Sequence, residues 1–193
     1  MISAILLAAG QSRRMQGENK LTKKIQGIPL IKHSVKNILS SSIDELIVVL
    51  GHENEIVEKL VEKNERVKFV FNKNFKIGMS SSIKIGIKNL SDKTDYFFIC
   101  LGDMPLVDQN TYNLLIKHKN KSKIIVPTYN GQQGNPVLFA KSMVDQITTI
   151  QGDVGAKKIL NVNKDKVTNV KIHNESVIKS FNLGSCSKTD LGK

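Results

Sequence analysis

The chain has 193 residues, enough for one substantial core, and 40% of them are hydrophobic. Its 29 basic against 17 acidic side chains leave a net charge of +12, which favours anionic partners without choosing among them. It has no apolar span of membrane length and opens on an apolar run only a strand long; this argues against a membrane span or a signal segment and predicts a cytoplasmic protein.

Ile2, Ala4, Ile5, Leu6 and Leu7 form a continuous apolar run, the pattern of a strand buried on both faces of a parallel sheet. Ala8, Ala9 and Gly10 end it. Pro29 stands where a first helical turn starts, and Ile31, Val35, Ile38 and Leu39 recur at helical spacing. Leu46 to Leu50 reads as a second buried strand, followed by a charged helix marked by Ile56, Leu60 and Val61. A third strand is predicted over Val67 to Phe71. Gly78 to Leu90 then predicts a turn and a helix with Ser80 or Ser81 as its N-cap. Tyr96 to Leu101 is the fourth and most apolar strand. Asp108 is placed to cap a helix through Tyr112, Leu115 and Ile116. Ile124 to Pro127 and Val137 to Phe139 read as strands, Gly152 to Leu160 as a last helix, and Val167 to Ile172 and Val177 to Leu183 as further strands. Strands alternating with helices predict a single-domain α/β fold, a three-layer sandwich with a mainly parallel sheet, spanning 1–193 with a loosely ordered tail over 184–193.

Cys100 and Cys186 are too few and too far apart for a disulfide framework or a CxxC metal site, and Cys100 is predicted to pack within a strand. His33, His52, His118 and His173 show no metal-ligand spacing. The basic string Lys117 to Lys123 has no interleaved aromatic residues to stack bases, so it reads as a solvated helix end and not as a nucleic-acid site.

Chemistry concentrates at strand ends, where open α/β sheets bind their ligands. The small residues Ala8, Ala9 and Gly10 let backbone approach a base or phosphate closely, and Arg14 and Lys20 supply positive charge within the same loop. That combination suits a nucleoside triphosphate. With Gly10 and Gly17 as its only glycines, the loop does not fit GxGxxG, and GxxxxGK[ST] is absent too. Asp103, directly after the fourth strand, can reach a metal held by a triphosphate, because Mg²⁺ is usually bound by one or two carboxylates plus phosphate oxygens and water. GMSSSIKIG, from Gly78 to Gly86, places hydroxyls and N–H groups at a helix start. GQQGNPVLF, from Gly131 to Phe139, suits a turn over an acceptor, and GDVGAKKIL puts Asp153 at a helix start.

The first loop resembles the signature loop of nucleotidyltransferases with a Rossmann-like fold (nucleotide-diphospho-sugar transferase type). The order LLAAGQSRRM…NKL, GMSSSI, LGDMP, GNPVLF and GDVGA, over about residues 2 to 160, resembles the molybdenum cofactor cytidylyltransferases. Members of that family join CMP from CTP to the phosphate of molybdopterin and release pyrophosphate, and their products serve molybdenum hydroxylase apoenzymes. The resemblance implies that Ala8, Ala9, Gly10, Gly78 and Ser82 hold the cytosine and ribose, that Arg14 and Lys20 bind phosphates, and that Asp103 binds Mg²⁺. It places Asp153 near the acceptor or a second metal. The AAG string is similar to the cytidylyl branch; the guanylyl branch more often has AGG. Two departures stand out: Asn135 replaces a histidine common in relatives, and FNLGSCSKTDL replaces a string like DIDTPEDL, putting Asn182 where a metal-binding aspartate is common. The alternatives to CMP transfer are a guanylyl or sugar-phosphate nucleotidyltransferase of the same fold and a non-catalytic carrier of the molybdenum cofactor.

Overall fold

The opening apolar run forms β1 (Ile2–Ala8), buried along nearly its whole length at the centre of the sheet. The computed structural model describes residues 1–12, 19–152, 155 and 157–181. A short hairpin, β2 (Lys24–Ile25) and β3 (Ile28–Pro29), leads into α1 (Leu30–Leu39), and then come β4 (Glu45–Leu50), α2 (Asn54–Leu60) and β5 (Val67–Phe71). The chain continues through α3 (Met79–Lys88), β6 (Tyr96–Leu101), α4 (Gln109–Lys117), β7 (Ile124–Tyr129) and β8 (Gln132–Gln133). It closes with β9 (Val137–Ala140), α5 (Val144–Thr148), α6 (Lys157–Val162) and β10 (Val167–Lys171).

The sheet runs β5-β4-β1-β6-β9-β7-β10, with β8 paired to β7. It is parallel across β5, β4, β1 and β6 and between β7 and β10, while β9 runs antiparallel to both β6 and β7. Alternate side chains of β1 enter two separate cores. Ala4, Leu6 and Ala8 pack with Ile31, Val35 and Ile38 of α1, Val57 of α2 and Leu115 of α4. Ile5 packs on the opposite face with Ile83 and Ile87 of α3, Ile147 of α5, and Ile159 and Leu160 of α6. This is the three-layer α/β sandwich expected from the alternation of strands and helices. Gly86 brings α3 close to the sheet, since a Cβ there would collide with Ile5 and sit 3.3 Å from Val49 Cγ2.

Cys100 is buried on β6, and burial pushes its thiol pKa up to about 12, so it packs as a small apolar residue. Asp108 caps α4 as expected, its side chain accepting from Thr111 N–H at 2.8 Å. No helix among the described residues is long and apolar enough to cross a membrane.

Three expectations differ. No side chain caps α3: Gly78 occupies the cap position with φ +124°, and the Ser81 hydroxyl donates to Gly78 O at 2.8 Å instead of accepting from a backbone N–H of the first turn. The segment from Val177 is not a strand over its described part. A 3-10 turn spans Glu175–Val177, because the Asn174 side chain accepts from Ser176 N–H at 3.0 Å and offers the backbone a local alternative to extension. The last helix begins at Lys157, not at Gly152, which has φ +74°.

Candidate functional site

The parallel register sets the carboxyl ends of β1, β4 and β6 side by side, with Ala8 opposite Leu50 and Leu7 opposite Leu101. Ala8 to Gly10, Gly51 and Gly102 to Asp103 therefore leave the sheet along one edge. The loops are fixed to one another. Gly51 lies so close to β1 that a Cβ on it would be 2.7 Å from Ala9 Cβ and 2.8 Å from Phe75 Cβ. Gly102 N–H donates to Leu7 O at 3.1 Å, and α1 holds the same loop through Ser34 Oγ to Gly102 O at 3.1 Å and Asn37 Nδ2 to Pro105 O at 3.0 Å. Gly10 is exposed, and a Cβ on it would meet nothing within 4 Å, so this position borders open space.

Lys20 reaches the site from a 3-10 turn, Lys20–Thr22, anchored by buried Leu21. Asn19 caps that turn, its side chain accepting from Leu21 N–H at 3.0 Å, and Lys20 N–H donates to Ser12 Oγ at 2.9 Å. The ammonium so placed lies 2.8 Å from Asp103 Oδ2, joining groups 83 residues apart in sequence. The side chains are 14% and 29% exposed, so the pair is partly shielded yet open to a ligand. Phe181 N–H donates to Asp103 O at 2.8 Å and ties the end of the described chain to the same loop.

The start of α3 lies beside this group through Phe75 and Gly51. Its polar groups are more committed than the sequence suggests. Ser82 is buried, and its hydroxyl accepts from Asn72 Nδ2 at 3.0 Å; Ser80 N–H donates to Gly152 O at 3.1 Å, and Ser81 N–H to Gly78 O at 3.1 Å. The helix start therefore presents little unpaired backbone N–H, because the loops before and beside it take those donors.

Asn135 arrives by a different route. Since β9 is antiparallel to β6, with Val137 opposite Ile99, the amino end of β9 points to the edge that bears Asp103. Asn135 N–H donates to Val177 O at 2.8 Å, and Gly134 N–H to Pro127 O at 2.8 Å. The structure thus groups Ala8, Ala9, Gly10, Lys20 and Asp103, sets Gly78 and Ser82 beside them, and brings Asn135 to the same edge. Arg14, Asp153 and Asn182 lie outside the described residues.

Among the described residues no group of three or more His, Cys, Asp or Glu side chains could hold a metal. His33 and His118 sit against backbone carbonyls, with His33 Nε2 3.1 Å from Ile25 O and His118 Nδ1 2.9 Å from Leu114 O. Sequence reasoning missed Asn19, Gly51 and Asn72. Gly51 directly follows the buried strand β4, the signal that located Asp103, whereas Asn72 follows β5, which is only partly buried.

Residues 4–168 match the model of the MobA-like NTP transferase domain. Bifunctional protein GlmU of Staphylococcus epidermidis is 26% identical over 139 residues, covering 72% of this chain and 30% of that protein, so the chain spans under a third of that relative's length. Rv0371c from Mycobacterium tuberculosis H37Rv superposes with a TM-score of 0.80 at 20% identity, covering 90% of this chain and 88% of that one. The 4-diphosphocytidyl-2C-methyl-D-erythritol synthase from Anaerococcus prevotii superposes with a TM-score of 0.77 at 17% identity, covering 95% and 91%. These two share the α/β fold with its mainly parallel sheet.

Proposed function

The chain belongs to the MobA-like NTP transferase family, and from that premise we propose that it transfers CMP from CTP to the phosphate of molybdopterin, releasing pyrophosphate. The observation that carries the reading is the 2.8 Å pair of Lys20 Nζ and Asp103 Oδ2 beside the open backbone at Gly10. A fixed cation, a carboxylate and a concave small-residue turn are what a metal-bound triphosphate needs.

Ala8, Ala9 and Gly10 receive the base and ribose, with Gly78 and Ser82 forming the neighbouring wall. Lys20 and Arg14 hold the phosphates. Asp103 is the carboxylate for Mg²⁺, a reading supported by its contact with the Lys20 ammonium. When bound, the magnesium neutralises charge that builds on the phosphates. Asp153 and Asn182 are the second-metal candidates, and Asn135 and Asp153 those for the acceptor. A phosphate oxygen of the acceptor attacks the α-phosphorus of CTP in line, a new P–O bond forms, and the bond to the β-phosphate breaks with its electron pair leaving on pyrophosphate. The nucleophile is already an anion, so no general base is needed; positioning and charge neutralisation do the catalysis.

The test is pyrophosphate release from CTP, GTP, ATP and UTP in turn, with Mg²⁺ and purified molybdopterin or its molybdate form. Release that requires both CTP and the pterin is the expected result. Release with GTP, or with a sugar phosphate as acceptor, reassigns the substrate within the fold. No release from any pair, by a folded protein that binds the pterin tightly, overturns the transferase reading in favour of a carrier.

A further inference from the structure

Asn72 is buried at the first position after β5, outside every role assigned above. Its N–H donates to Leu50 O at 2.8 Å, so its backbone extends the sheet ladder and is as fixed as the strands. Its carboxamide makes three bonds. Asn72 Oδ1 accepts from Asn74 N–H at 3.0 Å, and Nδ2 donates to Ser81 Oγ at 2.8 Å and Ser82 Oγ at 3.0 Å. One side chain thus closes the loop between β5 and α3 by gripping both of its ends.

That loop matters because of what it touches. Phe75, within it, packs against Gly51, which packs against Ala9. At its far end, Ser80 N–H bonds Gly152 O at 3.1 Å, and a Cβ on Gly155 would lie 2.9 Å from Met79 Sδ. Gly78, near the loop's end, has φ +124°, a conformation that side-chain-bearing residues rarely adopt and that the neighbouring bonds must hold. By donating to Ser82 Oγ, Asn72 also fixes which way that hydroxyl faces, since the contact uses a lone pair and leaves the O–H proton for another acceptor.

We propose that Asn72 is a positioning residue for the nucleotide: its carboxamide sets Gly78 and Ser82 at the separation from Ala9 and Gly10 that a bound base and ribose require. The inference rests on the nucleotidyltransferase reading. Asn72 itself touches no ligand; it acts through the loop and the serine hydroxyls. A purely structural role would lower the melting temperature and leave the ligand affinity of the folded protein unchanged. A positioning role loosens nucleotide binding in protein that is still folded.

The experiment measures CTP affinity by calorimetry with Mg²⁺, together with KM and kcat, for the wild type, Asn72→Ala and Ser81→Ala, each at a temperature where circular dichroism shows it folded. Asn72→Ala is expected to weaken CTP binding and raise KM by about tenfold, with kcat at saturating CTP changed far less. Ser81→Ala sits at a partly exposed position and removes one of the three contacts, so it decides the matter where Asn72→Ala does not fold; a rise of about threefold is expected. Unchanged affinity in folded Asn72→Ala, or in Ser81→Ala where the first variant does not fold, overturns the inference. A wild type that binds no nucleoside triphosphate rejects the underlying transferase reading, which separates the two failures.

Discussion

The two halves of the sheet edge reach one site by opposite means. Across β5, β4, β1 and β6 every strand is parallel, so each delivers its carboxyl end, and the loops that follow meet directly: Ala9 against Gly51, Gly51 against Phe75, Lys20 against Asp103. In the other half, β9 contributes only because it is reversed, which turns its amino end and Asn135 toward the same edge. There the local support comes from the 3-10 turn Glu175–Val177, whose Val177 O holds Asn135 N–H. The parallel half is a set of mutually braced loops, whereas the other half, among the described residues, leans on one turn.

The largest effect that sharpens this contrast is Asp103→Ala, expected to lower transfer by on the order of 10²- to 10³-fold while the fold persists, as measured by pyrophosphate release and circular dichroism. A loss of under tenfold would remove the parallel half's claim to the chemistry.

Next come two steric probes. Gly51→Ala drives a Cβ into Ala9 and Phe75, and Gly134→Ala drives one against the Val177 backbone. Each is expected to cost about 1–3 kcal/mol in denaturant unfolding. The contrast lies in the ligands: Gly51→Ala should weaken CTP binding, whereas Gly134→Ala should raise the KM of the acceptor alone. Equal effects on both ligands would dissolve the division.

A Cβ at Gly10 meets nothing within 4 Å among the described residues, so the melting temperature of Gly10→Ala should stay close to that of the wild type while CTP binding weakens by about tenfold, because the new methyl group enters the space assigned to the nucleotide. Retained affinity would move the base elsewhere. The smallest effect is expected from Asn135→Ala, a rise of about three- to tenfold in acceptor KM with CTP affinity unchanged.

The parallel half was the legible one. A strand buried on both faces is written as a continuous apolar run, so β1, β4 and β6 and the small or charged residues at their ends stand out; Asp103 can be picked by charge after β6 and Lys20 by charge within the loop that follows β1. Their 2.8 Å contact could not be read, since it depends on β1 and β6 being neighbours. An asparagine after a strand reads as a turn residue, and the weight of Asn72 comes from Ser81, which pattern offers as a cap, and Ser82, which the resemblance places at the base and ribose. Ser81 does bond at the helix start, but as a donor to Gly78 O. The hairpin of β2 and β3 and the strand β8 are two residues per strand, too short for any periodicity to register. Val177, Ile178 and Phe181 suggested a strand by hydrophobicity, yet the Asn174 turn and the bond from Asn135 N–H take that backbone out of any ladder.

The central claim is that Asp103, facing Lys20, is where a metal-bound triphosphate is held. It is tested most directly by CTP binding with and without Mg²⁺, in the wild type and in Asp103→Ala. The account predicts that Mg²⁺ tightens CTP binding by about tenfold or more in the wild type and has little effect in the variant. The same Mg²⁺ enhancement in both proteins would contradict it and place the metal on other groups.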